Sequence, residues 1–286
     1  MRNVNEANLT DAVLAKLQGA MDPRFKEIMT SLVMHLHAVI RETELTEKEW
    51  VAAIEFLTAT GKRCDHRRQE YILLSDTLGV SMLVDAINHR KPGGATETTV
   101  LGPFYVSGAR DMRMWADIGG DAPGEPAYVS GRVLDVMGRP IAGAVLDVWQ
   151  TDGDGLYDVQ RGAGDQQYAR GRFTTGADGR YGFKTVKPVS YPVPTDGPVG
   201  KMLLGMGRHP FRPAHVHVIV TAPDHERVAT HLFVEGDEYL DSDAVFGVKH
   251  SLIVDFKACS PGPAPDGRRS DAPFFAAEYD FKLVRS

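Results

Sequence analysis

A change in hydrophobic periodicity near residue 90 constrains the fold more than any other feature of the sequence. Before it, apolar residues recur three and four positions apart, as in residues 25–42, which is the spacing of an amphipathic helix. After residues 92–94, Pro-Gly-Gly, short β-rich runs alternate with Gly, Pro and Asp, which is typical of a β-sandwich. The sequence therefore predicts a mainly β protein, with a helical N-terminal domain over residues 1–98 and a β-sandwich domain over residues 99–286.

Local signals predict where several elements begin and end. Thr46 and Glu49 have the spacing of a capping box, in which each side chain satisfies a backbone amide at the start of a helix. Residues 68–90 are predicted to form one helix, or two helices joined near Gly79. Later in the chain, Asp178-Gly179 lies between two β-rich runs and predicts a hairpin turn.

Composition and charge exclude several classes of protein. The formal net charge is −6 and the isoelectric point is about 5.9, whereas nucleic-acid-binding domains are usually basic. Residues 1–20 lack the uninterrupted apolar core of a secretion signal, and no apolar run is long enough to span a bilayer. The two cysteines are too few for a disulfide framework. We expect a cytoplasmic protein with no membrane span and no nucleic-acid partner.

The segment 212–220, RPAHVHVIV, contains the clearest candidate site. Side chains two positions apart leave the same face of a β-strand, so His215 and His217 are expected to point into one space. Two imidazoles on an apolar strand need partners, and a metal ion is one solution. By contrast, His35 and His37 lie within a helical run, where their side chains diverge and are expected at the surface.

The residues alone leave the identity of such a metal open. A zinc hydrolase would need a third ligand, for which His231 is available. Tyr157 and Tyr191 could instead supply phenolates, which are hard anionic ligands suited to ferric iron. A non-enzymatic binding module, in which the imidazoles are buried and hydrogen-bonded, is the third alternative.

Four blocks of sequence together resemble the intradiol ring-cleaving dioxygenases, which open catechols between the two hydroxylated carbons. These blocks are residues 99–105, 131–158, 171–194 and 207–220. The resemblance implies a non-haem Fe(III) with four protein ligands, at Tyr157, Tyr191, His215 and His217. Arg212 matches the family's active-site arginine, and Tyr191 is also expected to take a proton from the substrate. Further implications are an aromatic diol or triol and O2 as substrates, and a homodimer formed through the N-terminal helices with a phospholipid buried there.

Two blocks, residues 72–86 and 230–243, are similar to the branch of the family that cleaves hydroxyquinol (benzene-1,2,4-triol) to 3-hydroxy-cis,cis-muconate or its tautomer maleylacetate. Catechol and chlorocatechols remain the alternative substrates. His231 stands where catechol-cleaving relatives tend to carry Gln, and Asp76 is expected either to meet the third hydroxyl or to cap or end its helix. The same matching gives the substrate-contacting residues: Leu73, Asp76, Val100, Leu101, Gly102, Pro103, Phe104, Val193, Pro194, His231 and Val245.

Overall fold

The computed structural model of the chain describes residues 3–19, 21–65, 68–161 and 167–286. The chain forms two compact units, Met1–Lys62 and Arg63–Ser286. The prediction of a mainly β protein with a helical N-terminal part is confirmed. No helix within the described ranges is both long and apolar enough to cross a membrane. The α-helices are α1 (Leu9–Lys16), α2 (Pro23–Thr43), α3 (Glu47–Lys62), α4 (Glu70–Thr77), α5 (Val80–Asn88) and α6 (Pro198–Gly205).

The helix boundaries follow from their capping residues. Helix α3 starts with the predicted capping box, because Thr46 Oγ1 accepts from the Glu49 amide and the Glu49 carboxylate accepts from the Thr46 amide. Gly79, at φ +74°, separates α4 from α5, so residues 68–90 contain two helices. His35 is exposed on α2, and His37 is half-buried beside Thr10, as expected for residues that are not ligands.

The second unit is built mainly from β-strands. Its described residues contain β1 (Asp111–Met112), β2 (Pro126–Asp135), β3 (Val145–Gln150), β4 (Arg170–Thr174), β5 (Arg180–Val186), β6 (Tyr191–Pro192), β7 (Phe211–Arg212), β8 (His215–Thr221), β9 (Val228–Val234), β10 (Ile253–Val254), β11 (Lys257–Cys259), β12 (Gly262–Pro263), β13 (Arg269–Ser270), β14 (Phe274–Glu278) and β15 (Phe281–Leu283). One sheet has the strand order β1-β4-β3-β8-β9-β10. In the second sheet, β2 pairs with β5, β14 and β15, and β14 pairs with β11.

An apolar core between these two sheets fixes the orientation of β8. Three valines of this strand belong to the core: Val216, Val218 and Val220. Burying one such apolar side chain completely stabilises the fold by about 1.5–3 kcal/mol. Because side chains alternate along a strand, the residue before each valine lies on the opposite face; these residues are His215, His217 and Ile219. The core therefore holds the strand whose other face carries the two imidazoles.

The prediction of a β-hairpin at Asp178-Gly179 is wrong. The turn is present, with Gly179 at φ +71° and its amide donating to the Gly176 carbonyl at 3.0 Å. However, β4 pairs with β3 and β1, whereas β5 pairs with β2 in the other sheet. Phe173 of β4 and Phe183 of β5 stack at 5.2 Å between their ring centroids, so the two strands face each other across the core. Turn residues reverse the chain, and burial of these aromatic rings decides which sheet each strand joins.

Candidate metal centre

Strand β8 brings His215 and His217 together, as its alternation predicts. Their Nε2 atoms lie 3.1 Å apart on the face away from the sandwich core. In the register of the sheet, His217 lies opposite Trp149 of β3 and opposite His231 of β9. His231 therefore lies on the same face, with its ring centroid 4.2 Å from that of His217. Nitrogen atoms of these three histidines lie within 4.8 Å of one another, which is close enough for a shared metal ion.

Two tyrosines reach the same point from other segments. Tyr157 directly precedes the short 3₁₀ helix Asp158–Gln160, which follows the turn after β3, and its hydroxyl lies 2.8 Å from His217 Nε2. The Tyr157 hydroxyl is also 3.5 Å from His215 Nε2 and 3.0 Å from the hydroxyl of Tyr191, which begins β6. All four side chains are buried. The structure thus places the four residues that the resemblance assigns to iron around one point.

The imidazoles of His215, His217 and His231 are neutral, which is the form that binds metal ions. Burial lowers the pKa of His215 to about 3, with the nearby Arg212 cation adding to the shift, and burial also lowers the pKa of His217 and His231. Because the His215 ring is neutral, its Nδ1–H donates to the Pro213 carbonyl at 2.7 Å and leaves the Nε2 lone pair facing the other donors. Such a second hydrogen bond is the usual way in which a protein orients a histidine ligand.

The chemistry of the four converging donor atoms suits a bound cation. Burial raises the pKa of both phenols, Tyr157 and Tyr191, so the protein alone does not ionise them. A bound metal ion reverses this preference, because its charge stabilises phenolate. Among the described residues, His231 Nε2 on the same face is buried without a hydrogen-bond partner, so a bound group is also expected beside it. Two phenol oxygens and two neutral imidazole nitrogens fit a non-haem iron ion.

A buried ion pair borders the metal ligands. Arg212 of β7 donates from Nε and Nη2 to the two carboxylate oxygens of Asp243, at 3.1 and 3.3 Å, and its Nη1 lies 3.3 Å from His215 Nε2. Asp243 also accepts from the amides of Val245 and Gly247. Burial alone would raise the pKa of Asp243, but the Arg212 charge and these hydrogen bonds hold it below its ordinary value. Arg212 is therefore a fixed cation facing the site.

The segment 99–104 lies over the metal ligands. At Gly102, where φ is +76°, an added Cβ would lie 3.1 Å from the His217 ring, so this backbone passes directly above the imidazole. Phe104 stacks on Tyr157 at 4.4 Å between ring centroids. The predicted residues Val100, Leu101 and Pro103 belong to the same segment. Both Gly102 and Phe104, taken from the resemblance as substrate contacts, are therefore next to metal-ligand candidates.

The other predicted pocket residues lie on three further segments. Asp76 is buried near the end of α4, with Leu73 one turn earlier. Burial raises the pKa of Asp76, Ser81 and Arg212 oppose this shift, and Asp243 adds to it, so the carboxyl lies near the buried ion pair. Val193 and Pro194 follow Tyr191 by two and three positions, and Val245 follows Asp243 by two positions. Their contact with a substrate stays a prediction.

Three neighbours of the site were not identified from the sequence. Trp149 stacks on His217 at 4.6 Å and 13°, and Thr99 Oγ1 lies 2.6 Å from His231 Nδ1. Asp243 is the third. Of the three, only Trp149 could have been found from the sequence, because it lies in a segment predicted to form a strand just before Tyr157. Nothing in the local sequence distinguishes Asp243 from the neighbouring acidic residues, since its partner lies 31 positions earlier.

The chain is similar to known proteins in both sequence and fold. A family model described as "Dioxygenase" matches residues 100–285, and one described as "Catechol dioxygenase N terminus" matches residues 22–96. A 6-chlorohydroxyquinol 1,2-dioxygenase from Cupriavidus pinatubonensis is 54% identical over 90% of this chain and 93% of its own length. A hydroxyquinol 1,2-dioxygenase from a Rhizobium species is 50% identical over 98% of this chain and 96% of its own length.

The same likeness holds in three dimensions. The crystal structure of hydroxyquinol 1,2-dioxygenase from Pseudomonas putida superposes with a TM-score of 0.93 at 50% identity, covering 98% of this chain and 99% of that one. The two family matches together span most of the chain, and the relatives cover nearly all of it. The chain therefore belongs to the intradiol ring-cleaving dioxygenase family.

Proposed function

We propose that this protein is a non-haem Fe(III) dioxygenase that cleaves hydroxyquinol with O2 to 3-hydroxy-cis,cis-muconate, or its keto tautomer maleylacetate. The observation that carries the proposal is the convergence of the Tyr157 and Tyr191 hydroxyls with the His215 and His217 Nε2 atoms at one buried point. Two hydroxyl oxygens beside two neutral nitrogens suit a hard trivalent ion better than zinc. Family membership also argues against the zinc hydrolase and the non-enzymatic module.

The four proposed iron ligands are held in place to different degrees by the surrounding structure. His215 and His217 lie within β8, and Tyr157 is packed under Phe104. Tyr191 lies instead in the two-residue strand β6, within a proline-rich segment. Bound ferric iron acts as a Lewis acid that stabilises phenolate and favours ionisation of a diol. In its phenolate form, Tyr191 Oη is the group we assign to receive one proton from the incoming diol, while the other three side chains stay in place.

Arg212 and the segment 99–104 complete the proposed active site. Arg212 keeps its charge at all relevant pH values, and Asp243 orients it, so it stabilises negative charge that develops on the ring-opening substrate. Gly102 and Phe104 cover the His217 and Tyr157 rings and exclude water from the ligands. His231, with its unpartnered Nε2 on the same face, is assigned to the substrate rather than to the metal.

The preference for a triol is assigned to Asp76. Its carboxyl is buried near Arg212 and Asp243, in a pocket whose other predicted contacts are uncharged side chains and backbone. A site that hydrogen-bonds a hydroxyl discriminates against a substrate that lacks it, because the buried polar group then loses its partner. The relatives named for hydroxyquinol and 6-chlorohydroxyquinol support this substrate class.

Steady-state kinetics with hydroxyquinol and catechol test the substrate assignment. We expect kcat/KM to be about 100-fold or more higher for hydroxyquinol, and Asp76→Ala to lower this ratio by at least about tenfold. Ile72→Ala, at an exposed position of α4, is the matched control and should keep the ratio. Equal or better cleavage of catechol or a chlorocatechol by the wild-type protein would reject hydroxyquinol as the preferred substrate. An unchanged ratio in Asp76→Ala would reject the role of Asp76.

We also propose that residues 1–98 form a dimerisation domain, in which a second copy of the chain and a phospholipid cover the N-terminal helices. The support is a series of large apolar side chains that stay exposed in the single chain. On α2 they are Phe25, Ile28, Leu32, Met34, Leu36, Val39 and Ile40. On α3 they are Trp50, Val51, Ile54 and Leu57. Many exposed large apolar side chains on one pair of helices are usual at subunit and lipid interfaces.

A further inference from the structure

Arg208 connects two segments that line the predicted substrate pocket. It lies in the turn after α6, where its amide bonds to the Leu203 carbonyl. Its Nη1 donates to the Thr77 carbonyl at 2.5 Å, and its Nη2 donates to the Ala244 carbonyl at 2.9 Å. Thr77 ends α4, which carries Asp76, and Ala244 directly precedes Val245. One guanidinium therefore holds both sides of the pocket.

Each of the two segments is also anchored separately. At the start of α4, the buried Glu70 carboxylate accepts from the Val199 amide of α6 and from Arg68 Nε. The segment 243–247 is fixed to the sandwich through Asp243 and Arg212, and through the Ala244 amide, which donates to the Phe211 carbonyl. Neither anchor joins the end of α4 to this segment, whereas the two hydrogen bonds of Arg208 do.

The chemistry at Arg208 suits this connecting role. The last carbonyls of a helix lack partners within the helix and carry partial negative charge, so a cation at Thr77 is favourable. Two different nitrogens of the planar guanidinium bind the two carbonyls, a geometry that a lysine ammonium does not reproduce. The guanidinium also lies over the Phe246 ring, 4.6 Å from its centroid, and Gly79 approaches the same ring.

We propose that Arg208 is a positioning residue for substrate preference, which holds the Asp76 carboxyl at a fixed distance from the Val245 side of the pocket. The inference rests on the proposed function, because it concerns recognition of the third hydroxyl. Misplacing a recognition group by about 1 Å costs up to about 100-fold in rate. Arg208 contacts neither the four proposed iron ligands nor Arg212 through a hydrogen bond, so catechol cleavage depends on it much less than hydroxyquinol cleavage does.

A double-mutant cycle between Arg208 and Asp76 tests the proposal. We expect Arg208→Met to lower the ratio of kcat/KM for hydroxyquinol to that for catechol by about tenfold, with iron content unchanged. In the Asp76→Ala background, Arg208→Met should change the ratio less than twofold, because the group that it positions is absent. Arg208→Lys keeps the charge without the fork and should give an intermediate ratio. Lys201→Met removes an exposed cation from α6 and is the matched control.

The outcomes separate this proposal from the function on which it rests. If the wild-type protein does not prefer hydroxyquinol, the proposed substrate fails first, and this inference fails with it. If the wild type prefers hydroxyquinol and Asp76→Ala lowers the ratio, but Arg208→Met and Arg208→Lys keep it, only the positioning role is rejected. Equal losses with and without Asp76 would show a general structural role and would also overturn the proposal. If Arg208→Met does not fold, Arg208→Lys alone carries the cycle.

Discussion

His215→Ala is expected to remove most of the bound iron and to lower kcat for hydroxyquinol by about 1,000-fold or more. The substitution deletes one of four converging donor atoms, and the Nε2 of His215 lies 3.1 Å from that of His217. A Lewis-acid metal supplies several kcal/mol of stabilisation to a developing charge, and each 1.4 kcal/mol is a tenfold change in rate. Iron per chain, measured by plasma emission spectrometry, and oxygen consumption with hydroxyquinol are the two readouts.

The chain offers a closely matched control for this substitution. His225 makes the same local contact as His215, since each Nδ1 lies 2.7 Å from the carbonyl of a proline two positions earlier. His225 lies outside the group of donor atoms, so His225→Ala should keep both iron and activity. Full iron loading and normal turnover in His215→Ala would contradict the assignment of this residue as a ligand. Equal iron loss in both variants would attribute the effect to the fold.

Arg212→Met is expected to lower both stability and activity. It leaves the buried Asp243 carboxylate without its cation, and removing one partner of a buried ion pair costs about 3–5 kcal/mol in the free energy of unfolding. Removing a fixed charge that stabilises the transition state lowers kcat by about 100- to 1,000-fold. Urea denaturation followed by circular dichroism measures the first effect, and hydroxyquinol turnover measures the second.

The double substitution Arg212→Met with Asp243→Asn separates these two effects. Because the amide carries no charge, the double variant should recover most of the lost stability, whereas turnover should stay low. If turnover returns together with stability, Arg212 acts only through the fold. If Arg212→Met unfolds at the same urea concentration as the wild type, the ion pair does not have the role assigned to it.

Much of the fold was readable from local sequence patterns. The helical run at residues 25–42 became α2, and the alternation in RPAHVHVIV placed His215 and His217 on one face of β8. These features depend on a few neighbouring residues, which the sequence shows directly. At Asp178-Gly179 the same local reasoning failed, because the choice of pairing partner depends on where Phe173 and Phe183 are buried.

Only part of the candidate site could be predicted from local sequence patterns. Periodicity identified the histidine pair, but the resemblance assigned Tyr157 and Tyr191 as ligands. The two phenols are 34 positions apart, and neither lies in a long strand or helix whose periodicity would mark it. Thr99 is 132 positions from His231, and Arg208 is 131 positions from Thr77. Such contacts depend on tertiary structure and leave no periodic signal. The residues that support the site were therefore found only in the folded chain.

The visible absorption spectrum of the purified, iron-loaded protein, before and after adding hydroxyquinol without oxygen, tests the ferric tyrosinate site most directly. We expect a broad absorption band from charge transfer between tyrosinate and ferric iron. The band should shift to longer wavelength with hydroxyquinol, because the diol coordinates the same iron. A protein that holds its full metal complement and shows no visible band, or whose band does not respond to hydroxyquinol, would contradict the central claim.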